Sequence, residues 1–192
     1  MERKYAWHNY DEQTLQDVMS LGDSYRQFLD NGKTERECVI QSVEAAKKAG
    51  YVDLKDLIKS NTPIKAGDKI YYTHMDKSIA LFNIGTDELD LGMNILGAHI
   101  DSPRIDVKQN PQYEDSNLVF WDTHYYGGIK KYHWVAMPLA IHGVVVKTDG
   151  TRININIGDK ESDPVFCITD LLPHLGQEQM QKNAAKVIEG EA

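Results

Sequence analysis

The pattern of apolar residues changes near Pro103, and that change sets the expected fold class. Upstream, stretches with helical spacing alternate with short strand-like runs. Downstream, strand-like segments follow one another (Arg104 to Val107, Leu118 to Trp121, Leu139 to Lys147, Arg152 to Ile157) with no long helical pattern among them. An α/β part followed by a β-rich part is therefore expected, divided as residues 1–106 and 107–192.

The upstream half carries clear local signals. Leu15, Val18, Met19, Tyr25, Phe28 and Leu29 fall mostly at three- and four-residue intervals between Gln13 and Leu29, which predicts an amphipathic helix lying on a core. After Asp30-Asn31-Gly32, Thr34 and Glu37 stand in capping-box positions ahead of Val39, Ile40 and Val43, and Gly50 supplies a stop, so a second helix follows. Lys69 to His74 and Ile79 to Ile84, separated by Asp76-Lys77, read as a hairpin. Downstream, Thr148-Asp149-Gly150 can fold Val144 to Val146 back onto the alternating Ile153, Ile155 and Ile157. Gln177 to Ile188 has helical character.

Charge and composition narrow the partners. The chain has 192 residues and 41% apolar content, enough for one or two cores, and a net charge of −8 that repels phosphate backbones and anionic lipid. No nucleic acid and no membrane partner is expected, since no apolar run approaches the roughly 18 residues that a span needs. Cys38 and Cys167 lie far apart, outside any metal-ligand spacing, which fits a reducing, cytoplasmic setting.

The sharpest chemical feature is His99-x-Asp101, reached by the apolar run Asn94 to Ala98 and closed by Pro103. On a strand, residues two apart point to the same side, so imidazole and carboxylate can meet. Two readings follow from those residues alone. A metal-bound histidine usually gives its second ring N–H to a carboxylate, which would make His99 a ligand and Asp101 its orienter. Alternatively, a strand-end histidine simply hydrogen-bonds an aspartate.

The longer context carries a resemblance. Gly97-Ala98-His99-Ile100-Asp101-Ser102-Pro103-Arg104, then Val107-Lys108, Tyr126-Gly127-Gly128, Trp134 and Pro138-Leu139-Ala140-Ile141-His142-Gly143-Val144-Val145, resemble the aspartyl aminopeptidase family, metallopeptidase family eighteen. Lys69 to Thr73, Ala80 to Phe82 and Ile84-Gly85 look like the paired strands ahead of that family's histidine motif, and the similarity runs from about Tyr25 onward.

The resemblance implies a zinc-exopeptidase-like α/β catalytic domain, here partial, followed by a β-rich inserted domain used for oligomerisation. It implies two zinc ions in the complete enzyme, with cobalt or manganese able to substitute. Peptides would be the substrates, losing their N-terminal residues, and the subunits would assemble into a large homo-oligomer. By position His99 inherits a zinc-ligand role and Asp101 the supporting catalytic role. The family's bridging aspartate, glutamate general base, further carboxylates and last histidine correspond to nothing in these residues. The chain is thus expected to be an N-terminal portion of a longer peptidase, inactive alone.

One departure stands out: where many members have a tryptophan-phenylalanine-aspartate-arginine-aspartate-leucine run, this chain has Trp134-Val135-Ala136-Met137-Pro138-Leu139, which looks like a divergent bacterial branch and leaves the preference for acidic N-terminal residues open.

Other candidates rank below. His124 and His133 flank Tyr125-Tyr126-Gly127-Gly128 and could bind substrate at a neighbouring subunit's site, or be ordinary surface histidines. His8, His74, His142 and His174 are scattered and carry no assigned role. Ser102 lacks a G-x-S-x-G elbow, and Gly127-Gly128 lacks a following Walker lysine. Phe120, Trp121, Tyr125, Tyr126, Tyr132 and Trp134 are expected to fill a β-domain core or a subunit interface. The competing functional class is a catalytically silent assembly module docking through exposed β edges.

Overall fold

The computed structural model describes residues 5–190. The described residues form four α-helices and seven strands, and the chain divides into two compact units, 1–101 and 102–192. In the first unit, α1 (Glu12–Asn31) and α2 (Glu35–Lys48) precede a short strand β1 (Val52–Asp53), a brief helix α3 (Leu54–Lys59) and the hairpin β2 (Lys69–His74) and β3 (Ser78–Asn83). β1 runs parallel to β2 and β3 antiparallel to it, giving the order β1-β2-β3 with Ile70 opposite Phe82 and His74 opposite Ser78.

α2 begins where Thr34 and Glu37 close a capping box: the Glu37 amide donates to the Thr34 hydroxyl, and the Glu37 carboxylate accepts from the Thr34 amide at 2.9 Å. It ends at Gly50, whose φ of 86° puts a left-handed residue just past the helix. The hairpin turn places Met75 and Asp76 at φ 52° and 56°, the left-handed pair of a tight turn whose twist matches the strands. Arg36 of α2 holds that turn, donating to the Met75 carbonyl at 2.9 Å. α2 packs on β2 and β3, and the buried apolar set, Cys38, Val39, Ala46, Ile70 and Tyr71, comes entirely from α2 and β2.

Two expectations for this unit are corrected. α1 forms, capped by Asp11 accepting from the Thr14 amide, but it has no buried residue. Leu15, Met19, Tyr25 and Leu29 stay exposed because α1 meets α2 mainly near its end, where Gln41 donates to the Phe28 carbonyl and the Cys38 thiol lies 3.6 Å from the Gly32 carbonyl. The apolar run Asn94 to Ala98 is not a strand: residues 92–103 have no regular structure. Such a run needs neighbours on both edges and both faces, and among the described residues no backbone partner reaches it.

The second unit is built from two hairpins. β4 (Arg104–Asp115) pairs with β5 (Leu118–Tyr126) around a Ser116-Asn117 turn, with a bulge between Val107 and Gln112. That irregularity accommodates Pro111, which has no amide to give to the ladder. β6 (Ile141–Val146) pairs with β7 (Arg152–Ile157), Val144 opposite Asn154, as the Thr148-Asp149-Gly150 signal predicted. The helix expected over Gln177 to Ile188 shrinks to α4 (Gln177–Met180). Of the aromatic residues expected to fill a core or a subunit interface, none joins the buried core of this chain: Phe120 stacks on Tyr113 at 5.4 Å and Trp121 on Phe166 at 5.2 Å, while Tyr125, Tyr126 and Tyr132 are exposed. A two-stranded ribbon by itself buries one face weakly.

Candidate functional site

His99 and Asp101 meet, although the strand expected to align them is absent. The loop after Ala98 turns so that the His99 Nδ1 lies 3.1 Å from the Asp101 Oδ1 and 3.0 Å from its backbone carbonyl. Both partners are acceptors, so Nδ1 carries the proton and the Nε2 lone pair of a neutral ring is left for another ligand. The imidazole is 84% exposed, so that lone pair faces solvent, and the Asp101 carboxylate is half-buried. This is the orientation that a carboxylate gives a metal-binding histidine.

The donor set is nevertheless incomplete. A catalytic zinc takes about three protein ligands plus an open position. Among the described residues, no three of histidine, cysteine, aspartate and glutamate gather closely enough to hold a metal ion. One imidazole and one carboxylate do not make a zinc centre.

His124 and His133 belong to the second unit. His124, on β5 opposite Asp106, has its Nδ1 3.2 Å from the Tyr125 carbonyl. His133 ends a short turn of Lys131–His133 and packs edge-on against Tyr132, ring centres 4.7 Å apart. Neither contact aims the ring at the other.

Two charged pairs were missed by sequence reasoning. Arg104 and Asp106, on β4, pair at 2.7 Å, and the Arg104 guanidinium lies 4.1 Å from the centre of the Tyr126 ring. The signal was available: Arg-x-Asp has the same two-residue spacing as His-x-Asp. His142, on β6, pairs with Asp159 at 3.2 Å, while Asn156 donates to the other Asp159 oxygen at 3.0 Å. That pair spans 17 residues and depends on the β6–β7 register, which the local pattern does not reveal.

Residues 28–191 match the sequence model of the aminopeptidase I zinc metalloproteases, M18. This chain belongs to the M18 family. A probable M18 family aminopeptidase 1 of Clostridium acetobutylicum is 52% identical over 190 residues, 99% of this chain and 41% of that protein. The solved structure of aminopeptidase I from the same organism superposes with a TM-score of 0.84 over 100% of this chain and 42% of that one. That of the M18 aminopeptidase from Thermotoga maritima gives 0.87 at 42% identity, again over all of this chain and 40% of that one. The mApe1 dodecamer of Saccharomyces cerevisiae, 20% identical with a TM-score of 0.65 over 81% of this chain and 36% of that one, shares the fold. The chain therefore spans about 41% of the length of the curated M18 relatives it matches.

Proposed function

We propose that this chain supplies part of the active site of an M18 aminopeptidase, with His99 as one ligand of a two-zinc centre and Asp101 as the carboxylate that fixes its ring. The observation that carries this reading is the Nδ1–Asp101 hydrogen bond inside a family-matched segment, with Nε2 turned to solvent. The remaining ligands come from polypeptide that this chain does not span, so the 192 residues alone are inactive. Peptides are the substrates, and cobalt or manganese can replace zinc at oxygen and nitrogen donors. His124 and His133 serve as substrate contacts across a subunit boundary, in a cytoplasmic homo-oligomer. Its assembly is supported by the exposed ribbons of the second unit and by the related fold of the yeast dodecamer, and its setting by two free cysteines.

The test uses the C. acetobutylicum enzyme with this chain in place of its own matching segment. His99→Ala is expected to lower bound zinc measured by atomic absorption. Turnover of an N-terminal leucine reporter should fall by more than the roughly 10- to 100-fold that loss of an outer ligand partner costs. Asp101→Asn should fall within that roughly 10- to 100-fold range and weaken zinc binding less. Unchanged zinc content and turnover in His99→Ala would remove His99 from the centre.

A further inference from the structure

His99 and Asp101 orient one another, but three residues of irregular chain do not fix their own position. The residues that follow them are anchored. Pro103 disfavours helical backbone at Ser102. Arg104 opens β4, and its Nη1 reaches back to within 3.5 Å of the Ser102 carbonyl. Its Nε donates to the Asp106 carboxylate at 2.7 Å, both side chains being part-buried. The guanidinium also lies 4.1 Å from the ring centre of Tyr126, its cross-strand partner on β5. Just past β5, Gly127 turns at φ 73° close to Pro103, where a Cβ would stand 3.5 Å from the proline Cα and ring carbons.

We propose that Arg104 is a positioning residue for the His99–Asp101 pair: held by Asp106 and Tyr126, it latches the Ser102 carbonyl and so fixes where the pair is presented. An ion pair alone contributes little near a surface, so the value of this one lies in geometry. A guanidinium is a planar fork that can give one edge to a carboxylate, another to a carbonyl and its face to an aromatic ring. The effect reaches Asp101 through one covalent link. The Asp101 carbonyl, which accepts from the His99 Nδ1, shares a planar peptide unit with the Ser102 amide, so restraint at Ser102 limits the swing of that carbonyl. The internal His99–Asp101 contact does not need the latch; its placement does. The catalytic consequence rests on the reading of His99 as a zinc ligand, whereas the latch itself rests on the β4–β5 geometry.

Backbone ¹⁵N relaxation of the free 192-residue chain reads the latch. The Ser102 amide is expected to show an order parameter of about 0.85, falling below about 0.6 in Arg104→Ala. Arg104→Lys should loosen it as well, because an ammonium restores the charge but neither the fork nor the stack. Tyr126→Phe keeps the ring face and should stay rigid. The amides of Val119 and Phe120, farther along the ribbon, report that β5 is folded; where Arg104→Ala loosens these too, Arg104→Lys decides. A Ser102 amide as rigid in these variants as in the parent overturns the proposal. In the clostridial enzyme carrying this chain, Arg104→Ala should lower kcat by roughly 10- to 100-fold with KM changed by less than about 3-fold, since a displaced ligand harms the chemical step more than peptide binding. Arg104→Lys should not restore kcat. An unchanged kcat in Arg104→Ala, where His99→Ala abolishes turnover, rejects the positioning role and keeps the ligand reading. A loosened Ser102 with zinc content and turnover indifferent to His99→Ala rejects the ligand reading and keeps the latch.

Discussion

Two stretches of the first unit are similarly apolar and end differently. Ile70 and Tyr71 on β2 are buried beneath α2, whereas Ile95 and Leu96, some 25 residues on, lie in solvent. The difference is the supply of partners. β2 finds β3 across a short turn and α2 across a connection held by Arg36 on the Met75 carbonyl, so its neighbours are encoded close by. Met93 to Ala98 has no such neighbour among the described residues. Hydrophobicity marks a segment for burial, but only topology supplies what buries it.

The largest test of that contrast is truncation at matched positions. Ile70→Ala should cost about 2–5 kcal/mol in urea unfolding of the free chain, the usual range for emptying a buried aliphatic site, whereas Ile95→Ala should stay within about 0.5 kcal/mol. Equal losses would break the comparison. Next comes the cap that starts α2. Thr34→Ala removes one half of the capping box and should cost about 1 kcal/mol by the same measurement, since the packed region depends on where α2 begins.

The smallest effect is on pH. Burial, aided by the nearby Glu37 and Glu35, raises the Cys38 thiol above its ordinary value of 9.0, and burial likewise raises the Tyr71 phenol above 10.0. Both groups hold their protons more tightly when folded, so their contribution is complete below those ordinary values and is lost as pH climbs through the raised ones. Urea midpoints should therefore decline above about pH 9, and Cys38→Ala should flatten the first part of the decline. Thiol labelling sharpens the contrast between units: exposed Cys167 should react promptly at pH 8 and buried Cys38 only on unfolding.

What was legible in the sequence was what is local. Thr34 with Glu37, Gly50, the paired runs around Asp76 and the Thr148-Asp149-Gly150 turn each specify backbone geometry within a few residues, and each appears where its signal predicts. The helix α3, six residues long, is too short for a periodic pattern to announce it. The fate of α1 and of Asn94 to Ala98 was not legible, because an apolar stripe states a preference for a neighbour without naming one. The aromatic residues of β5 suggested a core or a subunit interface, and a two-stranded ribbon offers little core to bury them against, which removes the first reading and leaves the second. At the site, the His99–Asp101 contact formed without the strand geometry invoked for it, since two residues are a short enough span for a loop to close.

That short span has a consequence of its own. The alignment of the His99 ring is settled by a carboxylate and a carbonyl of the same residue, Asp101, so it travels with a three-residue piece of chain instead of with any sheet or cavity. Such a piece is portable: moved to another loop, it would arrive with its imidazole already oriented and one nitrogen exposed, and a host protein would need to evolve only the surroundings.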